Sequence, residues 1–174
     1  LSIEGRDLDG IHFAMDFLSE QNRWDTKKSN VRNISAKNKN VVIIGGGDTG
    51  ADCLGTSIRQ GAKNIVQLEI LPEPPIIRSS SNPWPEWPLI LRTSSAHEES
   101  GEREFSVLTK SFDGITNVKN LTCQKVKWGK DPDSQKFEMK ILNKSEFKIK
   151  ADLVLLALGF VHPLQEGLLN ELGV

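Results

Sequence analysis

Residues Val41-Val42-Ile43-Ile44 run straight into Gly45-Gly46-Gly47-Asp48-Thr49-Gly50, and this junction constrains the chain more than any other stretch. Four β-branched apolar residues predict a buried strand, and the spacing of Gly45, Gly47 and Gly50 predicts a tight turn into a helix. Each glycine has a mechanical reason. The first allows the turn, the second lets a diphosphate approach the backbone, and the third lets the helix press on the strand; the helix start adds free N–H groups and a partial positive charge. A Gly-x-Gly-x-x-Gly alone is a weak signal, since glycine-rich turns are common. The strand before it and the helix after it favour a dinucleotide site over a plain structural turn.

The flanks follow the same logic. Ala51, Leu54, Ile58 and Ala62 fall close to one face of a 3.6-residue repeat, with Asp48 at a capping position and Gly61 placed to stop the helix. Ile65, Val66, Leu68 and Ile70 predict a second strand that delivers Glu69 about 20 residues beyond the glycine turn. A carboxylate there accepts hydrogen bonds from both ribose hydroxyls and repels a 2′-phosphate, which taken alone favours NAD(H) over NADP(H). The competing reading is an ordinary strand-end carboxylate in water.

Composition narrows the partners. The 174 residues make about one domain, and a net charge of −1 with mixed signs leaves no basic stripe for nucleic acid or an anionic membrane. The apolar run over 153–158 is far short of a membrane span, and no signal-peptide pattern opens the chain, so a soluble, cytoplasmic protein is expected. Cys53 and Cys123 are isolated in sequence, which leaves a metal site, an iron–sulfur cluster or a disulfide framework in this segment unsupported.

The first forty residues do not read as a domain of their own. Ile11, Met15 and Leu18 predict a short helical face, and residues 21–40 are polar and linker-like. With no starting Met and an ending just after Leu168-Leu169-Asn170-Glu171-Leu172, the chain reads as an excised piece of a larger polypeptide.

Residues 72–105 predict an extended loop with polyproline character, because Pro72, Pro74, Pro75, Pro83, Pro85 and Pro88 are excluded from helix interiors and central strands. Two readings of its Trp84 and Trp87 stand side by side: a hydrophobic clasp on the domain surface, or a cover over the nicotinamide or a neighbouring domain. Arg78 and Arg92 on this segment are within reach of cofactor phosphates, or are solvated as surface arginines commonly are. Beyond it, residues 105–108, 121–128, 136–142 and 146–149 predict strands, with turns at Asp131-Pro132-Asp133 and Asn143-Lys144-Ser145. The expected fold is α/β, a Rossmann-like parallel sheet with an antiparallel β-meander inserted before a last parallel strand at 152–158. Gly159, at the carboxyl end of that strand, either lets backbone approach a cofactor or is a plain turn glycine.

Several chemistries are excluded. The chain has no Tyr, no P-loop lysine motif, and three histidines (His12, His97 and His162) without metal-ligand spacing or a partnered serine. No metal ligand and no catalytic acid or base is expected. A nicotinamide site of this kind makes sense when the hydride passes directly to a second cofactor, such as a flavin on a separate domain.

These residues resemble a known family. The run Gly45-Gly46-Gly47-Asp48-Thr49-Gly50-Ala51-Asp52-Cys53, then Leu71-Pro72-Glu73-Pro74-Pro75, Pro83-Trp84-Pro85-Glu86-Trp87-Pro88, Arg92-Thr93-Ser94-Ser95-Ala96-His97-Glu98-Glu99 and Phe105-Ser106-Val107-Leu108-Thr109-Lys110 are similar to the small (beta) subunit of glutamate synthase. The likeness covers nearly the whole chain, and the double-Trp proline segment makes it specific.

The resemblance implies the pyridine-nucleotide domain of a two-dinucleotide-binding flavoprotein. NADPH or NADH would pass hydride to FAD, and iron–sulfur clusters outside this segment would carry electrons to the large (alpha) subunit. There 2-oxoglutarate and glutamine-derived ammonia become L-glutamate. It divides the chain into a remnant of the flavin domain and linker over 1–38, an NAD(P)H-binding domain over 39–158, and a return segment to the flavin domain over 159–174. Gly45, Gly46, Gly47 and Gly50 would shape the pyrophosphate turn, Asp48 and Thr49 the helix-start contacts, Glu69 or Arg78 would read the adenosine ribose, and Gly159 would approach the cofactor. The N-terminal flavin fingerprint, the cluster cysteines and the C-terminal Gly-Asp flavin segment are not in this chain, and Glu69-Ile70-Leu71 stands where some members carry arginines. The segment alone is expected to bind cofactor without turnover. Two rivals are the electron-input domain of a dihydropyrimidine dehydrogenase-like flavoprotein and a non-catalytic nucleotide-binding module.

Overall fold

The computed structural model describes residues 1–28, 30–131 and 137–174. Eight strands and four helices are set in the order β1 (Ile11–Phe13), α1 (Ala14–Asp25), β2 (Asn40–Ile44), α2 (Asp48–Arg59), β3 (Asn64–Leu68), α3 (Ser95–Glu99), β4 (Glu102–Glu104), β5 (Val107–Gly114), β6 (Val118–Lys130), β7 (Phe137–Lys150), β8 (Leu153–Leu156) and α4 (Leu168–Leu172) among the described residues. Strands β1-β8-β2-β3-β4 form one sheet in that order, all pairs parallel, and β5-β6-β7 form a separate antiparallel sheet. The α/β parallel sheet with an antiparallel meander is thus present as expected.

Period-two alternation decides what each face of the parallel sheet covers. Val41, Ile43, Leu153 and Leu155 pack with Phe17 of α1, Cys53 and Leu54 of α2 and Ala96 of α3. Val42, Ile44, Val154 and Leu156 pack with Phe112, Val118, Leu121 and Cys123 of the meander. Both faces are therefore buried, which is why β2 and β8 read as unbroken apolar runs.

The structure differs from the sequence reading at several boundaries. Ile11 belongs to β1, which pairs with β8, so the first helix begins at Ala14 and buries Ala14 and Phe17 while Met15 stays exposed. The cap of α2 is Gly47 with no side-chain bond; Asp48 is instead its first residue, where a carboxylate suits the positive end of the helix dipole. Gly61 at φ 82° ends that helix, and its N–H donates to Ile58 O at 2.8 Å. Within 72–105, α3 and β4 occupy residues that had read as loop, and the strand expected at 105–108 runs over Val107–Gly114.

The two strands expected at 136–142 and 146–149 are one, β7. Gln124 pairs with Glu146 and Val126 with Ile141, leaving residues 142–145 opposite Lys125 alone. Asn143-Lys144-Ser145 is thus a bulge with Lys144 at φ 58°, and Ser145 Oγ donates to Leu142 O at 2.6 Å. Turn-forming residues serve a bulge as readily as a hairpin, because both need a left-handed residue. The turn expected at Asp131-Pro132-Asp133 and the strand start at 136 lie outside the described residues, which omit 132–136.

The far end of the chain is apolar and uncovered: Leu158, Phe160, Val161, Leu164, Leu168 and Leu172 are all exposed, and α4 buries none of its residues. No helix among the described residues is long and apolar enough to cross a membrane.

At the end of the sheet opposite the glycine turn, Asp152 ties the starts of the three inner strands together. Its Oδ2 accepts from Asn40 N at 3.0 Å and from Asn40 Nδ2 at 2.6 Å, and Asn40 Oδ1 accepts from Asn64 Nδ2 at 2.7 Å. The Asn40 backbone N–H, more than any other group, holds the Asp152 carboxyl below its ordinary range. A carboxylate lowered in this way stabilises the fold fully above the unfolded pKa of about 4, and the contribution is lost as pH falls through the folded value. Asp152→Ala is expected to cost about 1–3 kcal/mol at pH 7, measured by urea unfolding, with the gap between variant and parent narrowing below about pH 4.

Candidate nucleotide-binding site

The glycine turn closes because two of its residues, Gly45 and Gly50, carry no side chain. Gly45, at φ 126°, lies so close to the end of β8 that a Cβ would sit 2.1 Å from Ala157 O. Gly50, buried in α2, would place a Cβ 2.3 Å from Gly45 O and 2.5 Å from Gln67 Nε2. These two are demanded by the protein's own packing. Gly47 is not: its φ of −82° suits any residue, and nothing lies within 4 Å of where its Cβ would be. The open space at Gly47 adjoins the first turn of a twelve-residue helix, whose leading N–H groups have no intrahelical acceptor. A diphosphate fits that combination.

Glu69 follows β3 directly. Its Oε2 accepts from Gly46 N at 2.7 Å and its Oε1 from Leu71 N at 3.0 Å, which pins the carboxylate beside the turn. A Cβ on Gly46 would lie 2.5 Å from Glu69 Oε2, so this contact also needs a glycine.

Two cavities meet the helix start from different sides. The larger, about 580 Å³, is lined by Gly46, Gly47, Asp48 and Glu69, by the segment after β3 from Leu71 to Pro75, and by Trp87, Arg92, Arg103, Phe105 and Phe137. The smaller, about 340 Å³, is lined by Thr49, by Phe13, Met15 and Asp16, and by Leu158, Gly159 and Phe160 after β8. Both fall within or near the size of small-ligand sites. They lie at the carboxyl ends of the strands, where β8 and β2 diverge in chain order and open parallel sheets bind ligands.

The structure brings together Gly45, Gly46, Gly47, Asp48, Gly50 and Glu69 around the turn, with Thr49 and Gly159 on the smaller cavity. Arg78 is elsewhere. Its Nη2 donates to the Glu86 carbonyl inside the proline segment, and it lines neither cavity. That segment is organised by Asn82, whose Nδ2 donates to Glu86 Oε2 and Trp87 O while its Oδ1 accepts from Leu89 N. Trp84 and Trp87 are 84% and 69% exposed, so neither ring is clasped into the domain. Trp87 lines the larger cavity and carries the Arg92 guanidinium 4.3 Å from its ring centre.

Sequence reading missed Arg103, Phe137 and Gln67. Arg103 sits on β4, lies over the Phe105 ring at 5.2 Å and donates to Arg92 O. Phe137 stacks on Trp128 at 5.3 Å, and Trp128 Nε1 donates to Ile70 O, so the meander tip reaches the cavity wall. No local motif marks these three. Burial pushes the Cys53 thiol up to about 12 and Cys123 up to about 11, so neither is a nucleophile at neutral pH. Among the described residues no group of three or more His, Cys, Asp or Glu side chains is placed to hold a metal ion.

Comparison with known proteins agrees with the motif reading. No family model matches the chain. Over 180 residues it is 50% identical to a glutamate synthase [NADPH] small chain of Mycobacterium tuberculosis, covering 100% of this chain and 36% of that protein. It is 46% identical to a glutamate synthase [NADH] of Schizosaccharomyces pombe, covering 94% of this chain and 8% of that protein. The chain therefore spans about a third of the bacterial relative's length. Among solved structures, Mycobacterium tuberculosis FprA in complex with NADPH aligns over 97% of this chain and 49% of that one, at a TM-score of 0.63 and 14% identity. At that identity the likeness speaks to the fold.

Gly50 and Gly47 separate packing from cradle. Gly50→Ala is expected to lose about 1–3 kcal/mol through overpacking against backbone that has no room to shift. Gly47→Ala is expected to cost no more than about 1 kcal/mol, the difference between glycine and alanine as the cap of α2, since the added Cβ meets no neighbour. Thermal and urea melts of the two variants side by side test this.

Proposed function

We propose, from the premise that this chain is homologous to one portion of a glutamate synthase small chain, that it is the NAD(P)H-binding segment of such an enzyme. The observation that carries the reading is the vacant approach at Gly47, set against the free N–H groups of α2 and flanked by the pinned Glu69 carboxylate. In this reading the pyrophosphate lies on the turn of Gly45, Gly46, Gly47 and Gly50, with Asp48 and Thr49 at the helix start. Glu69 takes the adenosine ribose on the side of the larger cavity, and Gly159 and Thr49 border the nicotinamide on the side of the smaller one. Arg78, committed to Glu86, is the weaker ribose candidate; Arg92 and Arg103 are the cations that line the site.

A bound nicotinamide supplies a hydride from C4 to an acceptor. The residues of this chain bind and orient it, and no side chain in either cavity need donate a proton. FAD, held by the rest of the polypeptide, is the proposed acceptor. Iron–sulfur clusters outside this segment and a large subunit that makes L-glutamate from 2-oxoglutarate and glutamine complete the proposed reaction. On the same grounds residues 159–174 are proposed to return to the flavin domain, in keeping with their uncovered apolar side chains, and residues 1–38 to lead in from it, although their β1 and α1 pack on β8 and α2 here.

Calorimetric titration of the chain with NADH and NADPH tests the reading. Binding of at least one is expected, with Gly47→Ala weakening it tenfold or more, about 1.4 kcal/mol. Glu69→Arg is expected to move the NADPH-to-NADH affinity ratio upward by at least about tenfold. An unmoved ratio removes Glu69 as the ribose ligand, and steady NADPH oxidation by flavin-free chain contradicts the division of labour.

A further inference from the structure

Gln67 is a polar side chain only 2% exposed within β3, and both ends of its amide are used. Its Nε2 donates to Gly45 O at 2.8 Å, and its Oε1 lies 2.8 Å from His97 Nε2. On the other side of the imidazole, His97 Nδ1 lies 3.1 Å from Ser94 N and 2.9 Å from Ser94 Oγ. A backbone amide only donates, so Nδ1 is the acceptor and Nε2 carries the hydrogen. That hydrogen goes to Gln67 Oε1, which turns the Gln67 NH₂ group toward Gly45. The direction of every bond from Ser94 to the glycine turn is thereby set.

The same peptide unit is held at its other end. Gly45 C=O accepts from Gln67, and the N–H that follows it, on Gly46, donates to Glu69 Oε2. Gln67 and Glu69 are two residues apart, so an extended strand sends both side chains the same way. One peptide plane in the phosphate turn is therefore clamped from both edges by a single strand end.

We propose that Gln67 and His97 are positioning residues for the phosphate turn, and that the Gly45–Gly46 peptide keeps its binding orientation only while His97 is unprotonated. The affinity part of this inference rests on the proposed function above. Protonated His97 would set an N–H at Nδ1 against the Ser94 N–H, two donors face to face; Nε2 keeps its hydrogen, so the disturbance reaches Gln67 through the ring being pushed off Ser94, which carries Nε2 away from Gln67 Oε1. Burial, and then the Arg103 cation on β4, hold the His97 pKa below its ordinary value. The cavity that His97 lines also carries Asp48 of α2, Glu69 after β3 and Arg92 before α3; on the histidine's own helix the charges are Glu98 and Glu99, the latter bound to Arg59 of α2 at 2.6 Å.

The test follows the Gly46 and Gly47 amide signals and the His97 ring by NMR from pH 8 to 5 without cofactor, alongside calorimetry with NADH at the same pH values. The chain itself, His97→Gln and Gln67→Met are compared. In the parent the two amides are expected to shift with the His97 titration, at a midpoint below about 6.5, and NADH affinity to fall several-fold across it. His97→Gln flattens both profiles, and Gln67→Met weakens NADH about tenfold at every pH; if the latter fails to fold, the His97→Gln profile decides alone. Amides indifferent to His97, or an unchanged acid-side fall of affinity in His97→Gln, overturn the inference. Amides that follow His97 in a chain that binds no NADH or NADPH support the positioning role and overturn the functional reading instead.

Discussion

The fold depends on how closely three backbone segments meet where β2 turns into α2. Gly45 abuts the carbonyl of Ala157 after β8, and Gly50 abuts the carbonyl of Gly45, so a strand end, a turn and a helix are stacked at distances no side chain permits. That stacking aims the start of α2 into the crevice where the chain order of the parallel sheet changes direction. Loosening it would blunt the helix dipole, displace the peptide clamped by Gln67 and Glu69, and part the two cavities from the helix between them.

The layers around this junction divide the labour. The helices cover one face of the parallel sheet and the meander the other, so the strands carrying the site are buried on both sides. The meander also does something a plain cover would not: through Trp128 bonded to Ile70 O and Phe137 stacked upon it, it adds an aromatic edge to the cavity. The long proline segment is ordered by its own polar contacts, with Asn82 at their centre, and so keeps Trp87 and Arg92 at the rim without burying either. Loops that are structured from within can present functional groups that a packed element would consume.

Most of the parallel sheet and the glycine turn were legible in the sequence because their signals are local. An apolar run, a glycine spacing and a helical stripe each fall within about a dozen residues. What sequence reading missed is non-local. The edge strand β1 is three residues long and exists only because β8 offers it a partner a hundred and more positions later. The bulge at Lys144 looks like a turn until Gln124 and Val126 set the register on both sides of it. At the site, Glu69 was found by its distance from the glycines, whereas Gln67 looked like an ordinary polar residue on a strand. Its role needs His97 and Gly45, which lie 30 residues downstream and 22 upstream. Arg78 stands in the sequence as an alternative to Glu69 for the ribose, but the proline segment folds it back onto Glu86.

Asp48 and Thr49 are neighbours at the head of α2, yet each opens onto a different chamber. A molecule occupying both must bend over the helix tip, with its middle on the turn and its ends in separate rooms. Each end alone forgoes the contacts of the other chamber, whereas the joined molecule seats its second end at the high local concentration set by the tether. Affinity at such a site is a property of the linkage, and cutting the ligand at its centre would cost far more than either half contributes.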